Sequence, residues 1–126
     1  MDRTARKTVF CDIDGTLLEH NLNLHSMVKD PPVLLPDVVD VFQQWREQDY
    51  YIVITTARPE GTRRITEDHL LSCGLFWDQM IMGLPTGSRM VINDKKPNGM
   101  VTAEAFCIER NEGLTRFLTP ESEHAQ

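Results

Sequence analysis

Two carboxylates at i and i+2, Asp12 and Asp14, follow the β-type run Thr8-Val9-Phe10-Cys11 and precede Gly15-Thr16. Side chains two apart on an extended chain point to the same side, so the pair converges. Like charges held together repel unless a cation or a proton joins them, and hard carboxylate oxygens suit Mg²⁺. One carboxylate of such a pair can act as a nucleophile while the other transfers a proton. Gly15 lets the backbone turn sharply straight after the acids.

These acids need a scaffold, and the chain supplies the parts. Tyr50 to Ile54 reads as a fully buried strand of the parallel-sheet kind. Pro36 opens a stretch in which Val38, Val39, Val41, Phe42 and Trp45 recur at helical spacing, with Pro at the first helical position. Glu60 to Cys73 reads as a polar helix ended by Gly74. Shorter apolar runs, Gln79 to Met82, Met90 to Ile92 and Ala103 to Ile108, are candidates for later strands. Strands alternating with helices imply right-handed crossovers and an open parallel sheet, which binds ligands outside the carboxyl ends of its strands. Residues 19 to 32 have no clear period and read as a loop or short β-flap beside that end, where His25 is a minor candidate for substrate contact.

Val9-Phe10-Cys11-Asp12-Ile13-Asp14-Gly15-Thr16 resembles the first motif of the haloacid dehalogenase (HAD) superfamily, whose phosphatases carry D-x-D-G-T at the end of the first strand. The second motif of that superfamily, a Thr or Ser closing the next core strand, is matched by Ile54-Thr55-Thr56-Ala57-Arg58; Thr56 is preferred to Thr55 as the phosphate ligand, together with the backbone at Ala57. The late acidic motif is matched by Val91-Ile92-Asn93-Asp94, with Asp94 as third metal carboxylate and Asn93 beside it. The basic motif departs from the family pattern: Leu84 in Gly83-Leu84-Pro85 stands where related proteins often carry Lys, and Arg89 is the substitute, ahead of Lys95 and Arg58.

The resemblance implies an α/β fold, a Rossmann-like three-layer sandwich around a central, mostly parallel sheet, spanning residues 1–118 as one domain with a polar tail over 119–126. It implies a Mg²⁺-dependent phosphomonoester hydrolase, with Asp12 as nucleophile, Asp14 as acid and base, and Asp12, Asp14 and Asp94 around the metal. The short gaps between motifs imply a capless type, similar to small phosphatases of capsule or surface-polysaccharide biosynthesis. Without a cap, either a bulky substrate or a neighbouring subunit covers the site, which favours a homo-oligomer acting on a phosphorylated small molecule. The alternatives are a nucleotide or polynucleotide 3′-phosphatase, a receiver-like domain that holds phosphate without turnover, and a non-catalytic metal-binding domain.

The 126 residues carry 13 Lys and Arg against 19 Asp and Glu, a net charge of −6 that argues against a nucleic-acid-coating role. The longest apolar run has five residues, Tyr50 to Ile54, far short of the ~20 a membrane helix needs. Met1 to Lys7 is basic but leads into no signal-type apolar segment, and the three scattered cysteines read as reduced core thiols of a cytoplasmic protein. His20, His25, His69 and His124 fall at no zinc-ligand spacing, and no Walker-type glycine loop is present. Trp45 is expected in the core, Trp77 in the core or an interface, and Arg63 and Arg64 on a solvated helix face.

Overall fold

A computed structural model describes residues 6–20 and 23–119; the basic N-terminus through Ala5 and the tail from Pro120 onward lie outside the described residues. The order of elements is β1 (Thr8–Cys11), α1 (Leu24–Lys29), α2 (Val38–Glu47), β2 (Tyr51–Thr55), a 3₁₀ turn (Glu60–Thr62), α3 (Arg63–Ser72), β3 (Gln79–Ile81) and a final 3₁₀ turn (Thr115–Phe117).

β2 lies between its two neighbours. It pairs in parallel with β1, Val9 opposite Ile52 and Cys11 opposite Ile54, and in parallel with β3, Ile54 opposite Met80. Parallel pairing requires a crossover for each connection, and α2 and α3 are those crossovers. The fold is therefore α/β and Rossmann-like, as its alternation of elements implied. β2 is buried from Ile52 to Thr55, which explains its unbroken apolar run. Around it close Ile13, Leu17, Val38, Val41, Phe42, Leu70 and Leu114, all at most 2% exposed. Phe42 stacks near Trp45 and edge-on to Phe76, while Trp77 is half-buried against the same core.

Several expectations are corrected. α2 starts at Val38, not Pro36; Asp37 is its N-cap, in a left-handed conformation with φ 61°, and Pro36 lies outside the helix. The reason is tertiary. The carbonyl of Pro36 accepts the Leu114 N–H at 3.0 Å, and the Asp37 carboxylate accepts the Thr115 hydroxyl at 2.7 Å. Gly113 passes so close that a Cβ there would lie 2.5 Å from the Pro36 oxygen, and its φ is +84°. Within the segment 19–32, expected as a loop or short β-flap, Leu24–Lys29 is the helix α1 with Asn23 as its cap. The helix expected from Glu60 begins as a 3₁₀ turn and becomes α-helical at Arg63; its end at Gly74, φ +83°, is as expected. Of the cysteines only Cys11 is buried, its thiol pushed up to about 12 by desolvation and then by the Asp12 charge; Cys73 is half-buried and Cys107 exposed.

The largest departure lies beyond β3. Met90–Ile92 and Ala103–Ile108 are strand-like in composition but pair with nothing in the sheet. They flank an arm, residues 88–107, that doubles back at a turn in which the Lys96 N–H bonds to the Met100 carbonyl at 3.0 Å, and it rejoins the body where Phe106 meets Phe117 edge-on and Ile108 is half-buried against the core. Met90, Val91 and Ile92 are 81%, 60% and 87% exposed. Among the described residues no helix is long and apolar enough to cross a membrane.

Candidate active site

β1 ends at Cys11, and the next residues alternate inside and out: Asp12 half-buried, Ile13 fully buried, Asp14 half-buried. Ile13 is the pivot. Its side chain sits in the core, and its carbonyl accepts the N–H groups of Thr16, Leu17 and Leu18 at 3.1, 2.8 and 3.1 Å. The tight loop so formed keeps both carboxylates at the carboxyl end of the sheet. Gly15 turns the chain with φ +88°, and a Cβ there would press on Arg110 at 3.3 Å.

The two acids have different surroundings. Burial pushes the Asp12 carboxyl above its ordinary value, and the Asp14 charge pushes the same way; the Ile13 N–H, Arg89 and His20 pull against them. Asp14 is instead gripped by Arg58, whose Nε and Nη2 donate to its two oxygens at 2.8 and 2.7 Å. This is a two-pronged, charge-assisted contact. Arg58 is itself 5% exposed and uses Nη1 to reach the Thr66 hydroxyl on α3 at 3.2 Å.

Thr56 follows β2 directly and is 1% exposed. Its Oγ1 accepts the Arg58 N–H at 3.0 Å, so its own hydroxyl proton is available to a ligand. Its backbone is locked, with the N–H on the Ile81 carbonyl at 2.9 Å and its carbonyl accepting from Leu84 at 3.1 Å. Thr55 is also buried, inside the strand, and Ala57 is exposed beside it. Asp12, Asp14, Thr56 and Ala57 thus stand at the ends of the two neighbouring strands β1 and β2, and Arg89 is near enough to act on the Asp12 charge.

Asp94 stands apart. It lies on the arm with Asn93 and Lys95, all exposed; its carbonyl accepts the Thr102 hydroxyl, and the Asn93 amide donates to the Thr102 carbonyl at 3.4 Å. Among the described residues no three His, Cys, Asp or Glu side chains come together in a metal-binding group. The three carboxylates expected around Mg²⁺ therefore do not fit it within one chain: two are at the sheet and one is on the arm.

Beside Arg58 a groove of about 470 Å³ runs between residues 18–20 and 26–33 on one side and α3 on the other. His20, Ser26, Asp30 and His69 line it with Arg58. The described ends of the segment expected as a flap thus wall the groove, while the His25 side chain is exposed and not part of the lining. Burial lowers the His69 pKa, and the Arg58 charge lowers it further against Asp68. Sequence reasoning ranked Arg58 only as a fallback and did not single out Thr66 or His20 for a role here. The signal for Arg58 was its place two residues behind a buried strand, where a guanidinium needs a carboxylate partner.

The family model described as the PITM 1-3 LNS2 domain matches residues 9–97, from β1 through the first leg of the arm. The chain belongs to the LNS2 domain family. LNS2 domains have a HAD-like phosphatase fold, so the chain takes its place among the HAD-superfamily phosphatases. The match takes in Asp12, Asp14, Thr56, Arg58, Arg89 and Asp94 alike. Among solved structures, this LNS2 chain is similar to one of the Pnkp1/Rnl/Hen1 complex, at 26% identity and TM-score 0.56 over 71% of this chain and 32% of that one. A second structure, of the Pnkp1/Rnl/Hen1 RNA repair complex, gives 27% identity and TM-score 0.56 over 70% and 29%. The chain spans about a third of the length of those proteins. A crystallised target from Vibrio cholerae shares the fold over 94% of both chains, at 18% identity and TM-score 0.53. No curated protein matched.

Proposed function

We propose that this phosphatase hydrolyses phosphomonoesters through an aspartyl-phosphate on Asp12. The observation that carries the reading is the pair of carboxylates set on either side of buried Ile13, one desolvated and one held by Arg58, at the carboxyl end of β1.

A carboxylate that is desolvated but reachable is a strong nucleophile once it is ionised. Asp12 attacks phosphorus in line, the new P–O bond forming as the ester P–O bond breaks. Asp14 gives its proton to the departing alkoxide, then takes one from the water that attacks the acyl-phosphate and regenerates Asp12. Arg58 occupies both Asp14 oxygens, so Asp14 must free one of them to carry the proton. Arg58 is therefore the positioning residue for the acid. The Thr56 hydroxyl and the Ala57 N–H meet the phosphoryl oxygens, and Arg89 balances their charge; most of the rate comes from such positioning and charge stabilisation. Mg²⁺, if held by Asp12 and the residue-14 backbone, would neutralise phosphoryl charge, with Asp94 standing apart from them in this structure.

The substrate proposed is a sugar phosphate or related metabolite, which the open groove beside Arg58 would admit. A protein of charge −6 attracts such an anion only through local cations. The likeness to a chain of an RNA repair complex favours a second reading, a nucleic-acid 3′-phosphate, and the same negative charge weighs against it. The test is phosphate release from sugar, polyol, nucleotide and 3′-phosphorylated oligonucleotide substrates, with Mg²⁺ and with chelator. Metal-dependent release that Asp12→Asn abolishes supports the reading. Undiminished turnover by Asp12→Asn overturns it.

A further inference from the structure

We propose that Asn111 is a positioning residue of the phosphatase site: it clamps both ends of the loop Gly15–His20 and so holds His20 as a wall of the groove that receives the leaving group. The role of the groove rests on the phosphatase reading above; the clamp itself stands on two hydrogen bonds.

Arg58 fixes the Asp14 carboxylate, and Asn111 fixes the chain that follows it. The Gly15 N–H donates to the Leu18 carbonyl at 2.7 Å, and the Gly15 carbonyl accepts the Asn111 N–H at 2.8 Å. The Asn111 side chain reaches the other end of the same loop. There its Oδ1 accepts the His20 N–H at 2.8 Å, across 91 residues of sequence. One residue therefore spans the loop, with its backbone at one end and its side chain at the other.

The clamp is built into the fold. Asn111 has φ 66°, a left-handed conformation that Asn, Asp and Gly adopt with the least strain. The turn around it is closed by the Glu112 N–H on the Glu109 carbonyl at 3.0 Å. The Glu112 carboxylate closes it further, accepting the Glu109 N–H and the Arg116 Nε, both at 3.2 Å. Leu114, just beyond the turn, is buried in the core. Asn111 itself is exposed, so removing its side chain opens no cavity. That separates a positioning role from a packing role.

What the clamp holds in place is His20. This side chain lies over Gly15, where an added Cβ would come within 3.7 and 3.8 Å of its Cβ and Cδ2. His20 lines the groove beside Arg58, and its charge pulls the Asp12 carboxyl down. The groove is thus bounded by the cation that grips Asp14 and by an imidazole whose charge reaches Asp12. An ester's alcohol must lie beside both acids when Asp12 attacks phosphorus and Asp14 protonates the departing oxygen, and the groove is the open space there. Releasing His20 would deform that space and leave the phosphoryl place at Thr56 and Ala57 as it is.

Three measurements on the full chain decide it. Asn111→Gly keeps the left-handed turn and the bond to Gly15 but deletes the acceptor for His20. Its KM for p-nitrophenyl phosphate should rise about tenfold, with kcat within about threefold of wild type. Inorganic phosphate, which has no leaving group, should inhibit it with an unchanged Ki. A loop that had merely lost its shape would weaken both, so an equal rise in KM and Ki overturns the proposal, as does an unchanged KM. Asn111→Asp, which keeps an acceptor and the turn, should restore KM. Adding Asn111→Gly to His20→Ala should raise KM no further than His20→Ala alone, because the first acts through the second. Failure of the rescue, or fully additive losses, overturns the link to His20. Finally, amide hydrogen exchange followed by NMR reads the clamp without turnover. The His20 N–H should exchange at least about fivefold faster in Asn111→Gly, while the Leu18 N–H, bonded to the Ile13 carbonyl, keeps its wild-type rate. Unchanged exchange at His20 overturns the clamp, and so does loosening at Leu18. If the wild type releases no nitrophenolate, the phosphatase reading fails, and the exchange rates still decide whether Asn111 holds the loop.

Discussion

Arg58 and Arg89 both serve the carboxylate pair behind β1, yet they are built into opposite kinds of surroundings. Arg58 is 5% exposed, holds Asp14 with two hydrogen bonds and Thr66 with a third, and stands between β2 and α3. Arg89 is exposed at the root of an arm, and its charge pulls the Asp12 carboxyl down against the push of burial. On the β2 side, the site is finished within one chain. On the β1 side, among the described residues, it is open, with the sheet edge bare and Asp94 elsewhere. A preorganised half and an open half at one site mean that loss of a residue should be felt as folding on one side and as turnover on the other.

The largest expected effect belongs to the acids both halves share. Asp12→Asn should lower phosphate release by about 10³-fold or more, the scale for removing a nucleophile, with little change in far-ultraviolet circular dichroism. Next comes the finished half. Arg58→Met leaves the Asp14 carboxylate in a mostly buried place without its partner, which costs roughly 3–5 kcal/mol of stability. Urea denaturation should show the loss. Arg58→Lys should recover only part of it, because an ammonium cannot hold both oxygens in a planar fork. A stability change below about 1 kcal/mol for Arg58→Met would mean that the clamp seen here is not a structural element.

The two sides can also be compared by one kind of substitution. Ile54 on β2 is fully buried and Ile92 on the arm is 87% exposed. Ile54→Ala should cost about 2–5 kcal/mol by denaturation. Ile92→Ala should change the unfolding of an isolated chain by less than about 0.5 kcal/mol. Equal costs for the two would erase the contrast.

What could be read from sequence divides along the same line. β1, β2 and α3 were legible because burial leaves a pattern: an unbroken apolar run for β2, and Gly74 behind α3. Asp12 and Asp14 were legible because their spacing has a direct geometric meaning. The start of α2 was misread because the contacts that set it, Gly113 and Leu114 against Pro36, lie almost eighty residues away. Met90–Ile92 is the instructive case. Its composition is that of a strand, but composition does not say whether the segment finds an edge of the sheet to pair with. Arg58 was underrated for a related reason, since a motif names residue types and only packing shows which guanidinium is enclosed with which acid.

The smallest effect tests why Asp12 is poised. Burial, with help from Asp14, raises its folded-state pKa above the unfolded value of 3.8. The folded protein thus binds the proton more tightly than the unfolded chain does. Its stabilising influence is full below the unfolded pKa and is lost as pH rises through the folded one. At neutral pH the ionised carboxylate is therefore a burden on the free protein, and Asp12→Asn, which carries no charge, should melt higher than wild type in chelator. The difference should shrink as pH falls through the raised folded-state value and vanish below the unfolded 3.8, where both states hold the proton. Thermal scans across that range read it directly. A variant that melts lower at neutral pH would show that Asp12 is held by favourable partners, as Asp14 is, and the desolvated nucleophile would lose its physical basis.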